Sequence, residues 1–518
     1  MVAIPIRAFT LIHLAVLFIA GVLLAISAEL PISGYSQIVI MAFVWWVTSR
    51  SQSNVFAAFF KSGLVFGLGY FIIALWWIYI SLHDVGGMSP VLSSFAVFAL
   101  AVLMALYFGL AFGCGLLIQN SFWRGLVLPA AWVMAEYLRG QLFTGFPWMG
   151  LAESQVHGPF MQIAESQVHG PFMQIAPYLG GLACTFLIIW ASWQLSLLKI
   201  QNTLVVVAAI AIVQILGIWQ FTSPNGAALS VRLIQGNFEQ SLKFNPKEIW
   251  QQIHFYRDAI IRSPADLIIV PETAFPWPEP DLPDQSLKMI QGFVDQSGSQ
   301  VLLGLIGKIP KDGNTFQYSN RVTGFTKDQV PYHYDKHHLV PFGEFIPPGF
   351  QWFVDAFKVP MSNFARGAIT QSPFPISSQH HDIHKAQYAA ISICYEDIFG
   401  NEIASRLRQS QNPVSLLINV TNLAWFGQSQ APMQQLRLSQ LRSVETGLPS
   451  LRATNTGITA IIDHRGKVQA VLDQFVQGEL SGTVQPYIGQ TPYVIWGNWP
   501  ILIFSLLVLL TTYLRFRK

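Results

Sequence analysis

Three residues in the second half of the chain carry side chains that together could perform acyl transfer. Glu272 follows the apolar run LIIV at 267–270, Lys336 lies in YDKHHLVPFGEFIP, and Cys394 ends the apolar run YAAISIC at 388–394. A thiol becomes a nucleophile when a base removes its proton, and a carboxylate can be that base. A fixed cation can stabilise the oxyanion of a tetrahedral intermediate. Glu, Lys and Cys therefore form a complete set for acyl transfer, provided that the fold brings them together.

Each of these side chains has a less specific explanation when it is taken alone. The Glu272 carboxylate could be a surface group or a helix cap, and Lys336 could be a solvated charge. Glu344, which follows Lys336 by eight residues, could be a salt-bridge partner. These residues become candidate catalytic residues only because they occur together in one chain.

The cysteines differ in their surroundings. Of the three in the chain, Cys114 and Cys184 lie in long apolar runs and are interpreted as packing residues. Cys394 has no partner in its own domain, and an odd cysteine is a liability in an oxidising compartment. This favours a reactive role for Cys394.

Alternating strands and helices are expected to position these groups. This alternation favours a layered α/β domain, in which catalytic groups sit at strand ends. The predicted helices are 247–262, 287–296, 398–409 and 433–445. The predicted strands are 228–235, 266–270, 300–306, 388–394, 414–420, a short one near 451, 458–462 and 468–472.

Composition places this domain in a membrane protein. The 518 residues are 52% hydrophobic and only 11% charged, whereas about a quarter of an ordinary soluble protein is charged. This excludes an ordinary soluble enzyme and a disordered protein. The net charge of +3 gives no basic surface for nucleic acid.

The charges divide the chain into three parts. Residues 1–220 hold six of the 30 basic residues, whereas 221–490 hold 21 basic and 22 acidic residues. We therefore predict a transmembrane domain of seven spans at 1–221, a catalytic domain at 222–490, and a last transmembrane helix with a basic tail at 491–518.

Eight membrane spans are predicted, since a bilayer core needs about 20 apolar residues per helix. They are 9–29, 34–49, 63–82, 91–119, 124–139, 178–198, 203–221 and 496–514. With the N-terminus in the cytoplasm, only Arg139 lies in the short loops outside. The cytoplasmic loops and tail then hold Arg7, Arg50, Lys61, Arg124, Lys199, Arg515, Arg517 and Lys518. The positive-inside rule thus places the catalytic domain outside, in a periplasm-like space.

A perfect repeat interrupts the region between the fifth and sixth spans. Residues 153–164 read ESQVHGPFMQIA, and 165–176 repeat them without a change. Twelve residues rotate a helix by about 120° beyond whole turns, so the two copies cannot share one helical face. We interpret the repeat as a recent tandem duplication or a sequence-assembly error, with the second copy in an external loop. A metal pair of His157 and His169 is the less favoured alternative.

The joint pattern resembles the nitrilase superfamily, whose Glu–Lys–Cys set sits in an α-β-β-α sandwich. It is still more similar to the family of bacterial apolipoprotein N-acyltransferases, and this resemblance covers essentially the whole chain. The matching stretches are EYLRGQLFTGFPW (136–148), IQGNFEQSLKF (234–244), LIIVPETAFP (267–276), KHHLVPFGEFIP (336–347), ICYEDIFG (393–400), AWFG (424–427), RATNTGITAII (452–462) and GNWP (497–500).

The resemblance implies a role for each residue of the site. Cys394 would be the nucleophile, Glu272 the general base and Lys336 the oxyanion-stabilising cation. The supporting residues would be Glu344, Tyr395 and Glu396. The implied family needs no cofactor and no metal.

The resemblance also implies residues that handle the substrates. Trp425, Phe426 and Gly427 would form a mobile loop over the site. Phe244 stands where the family commonly has Trp, and Leu423 stands where it has Asp. Arg139 and Trp148 would lie near the acyl substrates. Arg139 with Glu136 could fix the domain junction or contact a lipid headgroup, or could form an interfacial ion pair.

The activity that the resemblance implies is N-acylation of the N-terminal diacylglyceryl-cysteine of an apolipoprotein. The donor would be the sn-1 acyl chain of a phospholipid, phosphatidylethanolamine above all, and a thioester on Cys394 would be the intermediate. The enzyme would lie in the bacterial inner membrane as a multi-pass protein with its catalytic domain on the periplasmic side. Its partners would be the phospholipid, the apolipoprotein and the bilayer.

Other classes of function remain open at this point. A membrane-tethered nitrilase-type amidase would act on small water-soluble amides. A lipid transporter or scaffold would not depend on Cys394. A zinc enzyme could use His333, His337, His338, His380 and His381, although their spacing matches no HExxH-type pattern.

Overall fold

The computed structural model describes residues 6–30, 32–50, 55–156, 170–239, 246–311, 315–351, 363–376 and 387–516. The chain divides into two compact units. The helical unit comprises Met1–Tyr79, Ser89–Gln220 and Trp496–Lys518, and the catalytic unit comprises Ile80–Met88 and Phe221–Ile495. The catalytic unit is therefore built from two separate stretches of chain.

Long apolar helices make up most of the helical unit. Their bounds are Ile6–Ser27, Ser33–Ser49, Phe56–Ala74, Pro90–Leu116, Ser121–Arg139, Gly181–Ser196, Ile200–Leu216 and Trp499–Phe516. Short helical turns lie at Leu142–Thr144, Leu151–Gln155, Met173–Ile175 and Ala176–Leu179.

Three of the described helices are long and apolar enough to cross a membrane, namely Phe56–Ala74, Pro90–Leu116 and Trp499–Phe516. Shorter apolar helices are Leu11–Ser27, Gly181–Ser196 and Ile200–Leu216. The third predicted span, 63–82, is displaced, because the helix there runs from Phe56 and ends at Ala74. The chain then turns, and Ile80–Met88 belongs to the catalytic unit.

Aromatic rings and small residues pack the helices of this unit. Trp45, Phe112 and Trp132 are almost fully buried, and the Trp45 and Phe112 ring centroids are 4.8 Å apart. A Cβ on Gly63 would lie 2.6 Å from the Phe108 carbonyl oxygen. Only glycine allows the helices at 56–74 and 90–116 to approach this closely, as small residues do between membrane helices.

The duplicated segment folds as a single copy in the described residues. Residues 153–156 belong to the first copy and 170–176 to the second, and the Gly170 N–H donates to the Gln155 carbonyl at 2.7 Å. The Phe172 N–H donates to Gln155 Oε1 at 3.1 Å. These residues together form one copy of the segment, here called the spliced copy. Its start comes from the first repeat and its end from the second. The predicted external loop and both His157 and His169 lie outside the described residues.

Fifteen strands follow one another in the described part of the catalytic unit. They are β1 Thr222–Pro224, β2 Leu229–Gln235, β3 Leu267–Ile269, β4 Phe275–Pro278, β5 Gln300–Pro310, β6 Phe316–Phe325, β7 Tyr332–Asp335, β8 Phe374–Ile376, β9 Gln387–Ile393, β10 Val414–Thr421, β11 Ser450–Thr454, β12 Thr459–Ile462, β13 Val468–Leu472, β14 Gly478–Val484 and β15 Tyr487–Gly489. The α-helices are Pro246–Ile261, Ser286–Ser297, Gly400–Gln409, Ala431–Thr446 and the short Pro492–Trp496, whose last residue lies beyond this unit.

These strands form two large mixed sheets. The first sheet has the order β14-β2-β3-β5-β6-β7 with β4 beside β5, and the second has the order β13-β12-β11-β10-β9-β8. Parallel pairs lie at the centre of each sheet, β2–β3–β5 in the first and β9–β10–β11 in the second. Strands β1 and β15 form a separate antiparallel pair.

The two sheets pack face to face in an α-β-β-α sandwich. Alternate residues of β2, such as Leu229, Val231 and Leu233, share one buried cluster with Ile391 of β9 and Ile418 of β10. Period-two alternation sends the other side chains to the outer faces, where helices Pro246–Ile261 and Ser286–Ser297 cover the first sheet. The helices at 400–409 and 431–446 cover the second sheet. The predicted layered α/β class is confirmed.

Candidate active site

The nucleophile candidate lies at the carboxyl end of a buried parallel strand. Cys394 directly follows β9 and begins a tight turn, Cys394–Ile398. Its φ is 51°, an uncommon left-handed conformation for a residue with a side chain. The Cys394 carbonyl accepts hydrogen bonds from Gln435 Nε2 at 2.9 Å and from Asn419 Nδ2 at 3.3 Å. Neighbouring elements thus hold the Cys394 backbone in a conformation that is energetically unfavourable for an isolated residue.

The candidate general base lies just beyond a strand of the first sheet, whereas Cys394 follows a strand of the second. Glu272 lies three residues beyond the end of β3 and is 8% exposed. Its Oε1 accepts from Asn320 Nδ2 at 2.6 Å, and its Oε2 accepts from the Asn422 N–H at 2.8 Å. Both carboxylate oxygens are therefore held in place by neutral N–H donors.

Lys336 lies between two carboxylates. It follows β7 directly and is 1% exposed. Its Nζ is 2.9 Å from Glu344 and 3.5 Å from Glu272 Oε1. Burial opposes the positive charge, but Glu344 and Glu272 outweigh burial and hold the pKa of Lys336 well above its ordinary value. The lysine is therefore a permanent cation at the site.

The structure brings the predicted residues together. Cys394 is half-buried, and the charges of Glu272 and Lys336 lie near enough to its thiol to shift the thiol pKa. Burial, followed by the Glu272 carboxylate, raises the pKa of the Cys394 thiol to about 12, although Lys336 opposes this rise. The resting thiol is thus protonated at neutral pH, and its activation requires a base at the moment of attack.

Glu396 joins the nucleophile turn to the lysine segment. Its carboxylate accepts from the main-chain N–H groups of Ile393 and His337, each at 2.7 Å. The Tyr334 hydroxyl donates to both of its oxygens, at 2.9 and 3.0 Å. Because burial raises the pKa of Tyr334 well above its ordinary value, that hydroxyl keeps its proton. Glu396 therefore fixes the distance between the turn that carries Cys394 and the segment that carries Lys336.

The remaining predicted supporting residues lie in the same unit. Tyr395 packs edge-on against Phe399, with ring centroids 5.2 Å apart, and against His338 at 5.6 Å. Glu344 Oε2 accepts from the Val340 N–H at 2.8 Å, so that its own loop fixes the second carboxylate.

A half-buried loop follows β10. It contains the turn Ala424–Phe426, and Gly427 then adopts φ 51° and ψ −157°. The loop starts at Asn422, whose N–H contacts Glu272, so that its first residue touches the base. A Cβ on Gly427 would lie 3.1 Å from Ile80 Cγ2. The loop therefore packs on the 80–88 stretch of the same unit.

Two of the predicted substrate residues belong to the helical unit. Arg139 and Trp148 belong to the helical unit, where the Arg139 guanidinium donates to the Trp148 carbonyl. The Trp148 ring packs on Trp77, with centroids 5.2 Å apart. Glu136 accepts from Thr185 at 3.3 Å. Phe244 lies outside the described residues.

Sequence reasoning missed the polar residues that support the site. Asn320 lies in β6, a strand that the apolar pattern does not predict. Asn419 lies in the otherwise apolar strand β10, and Arg452 lies in β11, where it donates to Asp397 Oδ2 at 2.9 Å and to Asn419 Oδ1 at 3.0 Å. A single polar residue in a buried strand was the available signal, because such a group must find partners.

The histidines of the alternative zinc site have other partners. His333 contacts Glu279 at 3.2 Å, His337 Nδ1 lies 2.8 Å from the Gly367 carbonyl, and His338 pairs with Glu402 at 2.9 Å. Among the described residues, no group of three or more His, Cys, Asp or Glu side chains could hold a metal ion. His380 and His381 lie outside the part that the structure describes.

Known proteins show similarity along both units. A family model described as the apolipoprotein N-acyltransferase N-terminal domain matches residues 20–166, and one described as carbon-nitrogen hydrolase matches 216–493. The chain is 38% identical over 490 residues to the apolipoprotein N-acyltransferase of Ralstonia nicotianae, covering 92% of this chain and 90% of that protein. It is 36% identical over 482 residues to that of Nitrosomonas europaea, covering 91% and 90%.

Solved structures give a weaker likeness. A cysteine-to-alanine mutant of the amidase from Nesterenkonia sp. AN1, in complex with butyramide, is 14% identical with a TM-score of 0.35. The match covers 52% of this chain and 93% of that chain.

Proposed function

This chain belongs to the apolipoprotein N-acyltransferase family, and we propose that it transfers the sn-1 acyl chain of a phospholipid to the α-amine of an apolipoprotein's N-terminal diacylglyceryl-cysteine. The protein is an acyltransferase. The observation that carries the assignment of its site is the buried charge cluster in which Glu272 and Lys336 lie beside the Cys394 thiol. An amidase acting on small amides is not favoured, since the relatives that match about nine tenths of the chain are named acyltransferases.

In the first half-reaction, Glu272 takes the proton of the Cys394 thiol as the sulfur attacks the ester carbonyl. The carbonyl oxygen gains the negative charge, which the Lys336 ammonium stabilises. The intermediate then collapses. Its carbon–oxygen bond breaks, the proton passes from Glu272 to the glycerol oxygen, and a lysophospholipid leaves. The thioester on Cys394 and an ionised Glu272 remain.

In the second half-reaction, the free α-amine of the diacylglyceryl-cysteine attacks the thioester carbonyl. Glu272 accepts a proton from the amine, and the carbon–sulfur bond breaks. The thiolate recovers that proton, and the N-acylated lipoprotein leaves. A covalent intermediate lets one site serve two bulky lipid substrates in turn.

Both substrates are lipid-anchored, and this requires a site at a bilayer. Withdrawing an acyl chain into water costs about 0.8 kcal/mol per methylene group. The helix Ile200–Leu216 supports a membrane location, because Leu204, Val207 and Ile212 are exposed on it, and a helix that is apolar on all sides needs an apolar solvent. We propose eight spans in the bacterial inner membrane, with the 222–490 catalytic domain on the periplasmic side.

Substrate contacts are assigned in the same proposal. Trp425, Phe426 and Gly427 form a mobile loop across which the acyl chain or the peptide passes. Arg139 and Trp148 contact the lipid substrates, and phosphatidylethanolamine is the preferred donor. The half-buried loop beside Glu272 supports the first of these assignments.

Intact-mass measurement of the full-length protein tests this function. The protein is incubated in detergent micelles with phosphatidylethanolamine. The wild type is expected to gain the mass of one acyl chain, and hydroxylamine is expected to remove it. Cys394→Ser should gain nothing that hydroxylamine removes, whereas the control Cys114→Ser should behave as the wild type.

A second step separates the acyltransferase from an amidase. Adding a synthetic diacylglyceryl-cysteine peptide should discharge the thioester and move the acyl mass to the peptide amine. A folded wild-type protein that never gains an acyl mass would overturn the proposal. A thioester that transfers only to water would also overturn it.

A further inference from the structure

One asparagine contacts both carboxylates of the site and the main chain of its lysine. Asn320 lies in β6 and is 2% exposed. Its Nδ2 donates to Glu272 Oε1 at 2.6 Å and to Glu344 Oε1 at 2.8 Å. A single amide nitrogen, with two N–H bonds, therefore joins the two carboxylates.

The backbone of Asn320 also fixes the lysine. The Lys336 N–H donates to the Asn320 carbonyl oxygen at 2.8 Å. Strand register produces this contact, since Arg321 of β6 pairs with Asp335 of β7 and the next pair along the strands is Asn320 with Lys336. Asn320 thus places Glu272, Glu344 and Lys336 relative to one another.

The chemistry at this position requires an amide. Ionised carboxylates only accept hydrogen bonds, so the nitrogen of the Asn320 side chain must face them. Its Oδ1 is buried without a hydrogen-bond partner in the described part of the chain. Burying an acceptor without a partner lowers the stability of the fold. Packing alone therefore does not explain an asparagine at this position.

We propose that Asn320 is a positioning residue for the general base in the acyl transfer. It fixes the orientation of the Glu272 carboxylate, and it keeps Glu344 beside Lys336. This inference rests on the proposed function, and it adds a residue to the machinery of that reaction. Because Glu272 handles a proton in both half-reactions, loss of Asn320 slows both.

The charges around Asn320 determine how substitutions behave. Glu272, Glu344, Lys336 and the Cys394 thiol face the site, while Arg321, the next residue of β6, turns to Asp335 at 2.8 Å and to Glu279. Asn320→Ala removes two donors from the carboxylates. Asn320→Asp replaces those donors with a third carboxylate beside a single lysine.

The test measures acyl-enzyme formation against pH in the full-length protein. Two donors are used, phosphatidylethanolamine in micelles and the water-soluble ester p-nitrophenyl butyrate. Without the donors, the ionised carboxylate is less favourable, so the acid limb of the Asn320→Ala profile should move up by about one to two pH units. The rate of acyl-enzyme formation by Asn320→Ala should be about 10- to 100-fold lower than that of the wild type at neutral pH. The rate should partly recover at high pH.

Asn320→Asp should not recover at high pH, because its third carboxylate is then ionised. KM for p-nitrophenyl butyrate should stay constant in both variants while kcat falls. Asn225→Asp is the control for burying a carboxylate in the same unit, since Asn225 is 5% exposed and follows β1, where its main-chain N–H donates to the Pro486 carbonyl. Its pH profile should match that of the wild type.

The outcomes separate the two proposals. Unchanged profiles for Asn320→Ala and Asn320→Asp, or equal losses at every pH, would overturn the positioning role. If the wild type reacts with p-nitrophenyl butyrate but never with the phospholipid, the proposed function fails. The Asn320 profile on the soluble ester still decides this inference in that case.

Discussion

At the scale of single residues, the site is a small set of charges with little water around it. Two carboxylates, Glu272 and Glu344, share one lysine, and all three residues are buried. Charges in such surroundings act strongly on one another. Burial, and after it the Glu272 carboxylate, raises the pKa of the Cys394 thiol, so the nucleophile stays protonated until a substrate arrives. The protonated thiol is protected from oxidants and alkylating agents.

Replacing the base should therefore have opposite effects on two measurements. Glu272→Gln removes the charge that contributes, after burial, most to the rise of the Cys394 pKa. The thiol pKa should fall, so alkylation of Cys394 by iodoacetamide at pH 9–10 should accelerate by roughly tenfold, one pKa unit. Acylation by phospholipid should nearly cease. Mass spectrometry of the Cys394 peptide measures the first, and intact mass measures the second.

Glu344→Gln is the matched control, since Glu344 raises the pKa of the Cys394 thiol less than Glu272 does. Its alkylation rate should change less. Slower alkylation of Glu272→Gln than of the wild type would contradict this electrostatic account.

At the scale of elements, the candidate catalytic residues lie just beyond strand ends, and hydrogen bonds between these ends fix the distances between the residues. Glu396 connects β9 to the segment after β7, and a second buried network lies behind the nucleophile turn. There the Ser439 hydroxyl donates to Asp397 Oδ2 at 2.6 Å, and Arg452 donates to the same oxygen at 2.9 Å. The helix 431–446 is thereby tied to β11 and to the turn that carries Cys394.

Breaking this network should loosen the nucleophile. Arg452→Met leaves the buried Asp397 carboxylate without its cation, which is expected to destabilise the catalytic unit by about 3–5 kcal/mol. Asp397→Asn should cost a similar amount, and the double variant should cost less than the sum. Urea unfolding followed by tryptophan fluorescence measures the three changes. Additive losses would show that the pair is not coupled.

The loop at 423–427 can be tested through its glycine. Gly427 has φ 51° and ψ −157°, a region essentially closed to other residues, and strain there costs about 1–3 kcal/mol. Gly427→Ala should therefore displace the loop and slow acylation by about tenfold or more, with little change in the urea midpoint. Phospholipid acylation kinetics measure the rate.

Gly292→Ala is the matched control for the loop glycine. Gly292 lies in the helix Ser286–Ser297, and a Cβ there would meet no atom within 4 Å. This change should leave acylation unchanged and stabilise the helix by about 0.5–1 kcal/mol. Equal kinetics for the two variants would argue against a role for the loop conformation.

Periodicity predicted the buried parallel strands well, because their apolar runs end in turn residues. Predicted strands 300–306 and 414–420 correspond to Gln300–Pro310 and Val414–Thr421. Apolar periodicity does not predict strands β6 and β7, because polar side chains such as Asn320 in the site and Asp335, the partner of Arg321, interrupt the apolar pattern. The partners of Glu396 depend on contacts between distant segments, which sequence spacing does not encode.

At the scale of the whole molecule, the catalytic unit is discontinuous. Ile80–Met88 belongs to it although the helices before and after that stretch belong to the other unit. Ile80 supplies the surface against which Gly427 lies. A fragment that begins at 221 therefore lacks part of its own unit, and experiments on the site require the full chain.

The duplication also belongs to this scale. Because Gly170 bonds to Gln155, a variant that lacks 157–168 joins Val156 to His169 and leaves the spliced copy complete. Gln155 and Gly170 would then be separated by two residues, as in an ordinary turn. We expect acylation within about twofold of the wild type and an unfolding midpoint that is unchanged or slightly higher, since loop closure costs little. Loss of activity would show that the extra residues have a function.

The pairing of β1 with β15 has a consequence for how this architecture varies. The chain enters the catalytic fold at Thr222–Pro224 and leaves it at the neighbouring Tyr487–Gly489, and adjacent strands are only about 4.8 Å apart. A long segment whose ends meet behaves, for the helices on either side, as a short connection, and insertions are tolerated at such places. The enzymatic part can thus lengthen, shorten or be exchanged over evolution without changing the spacing of the helices that flank it.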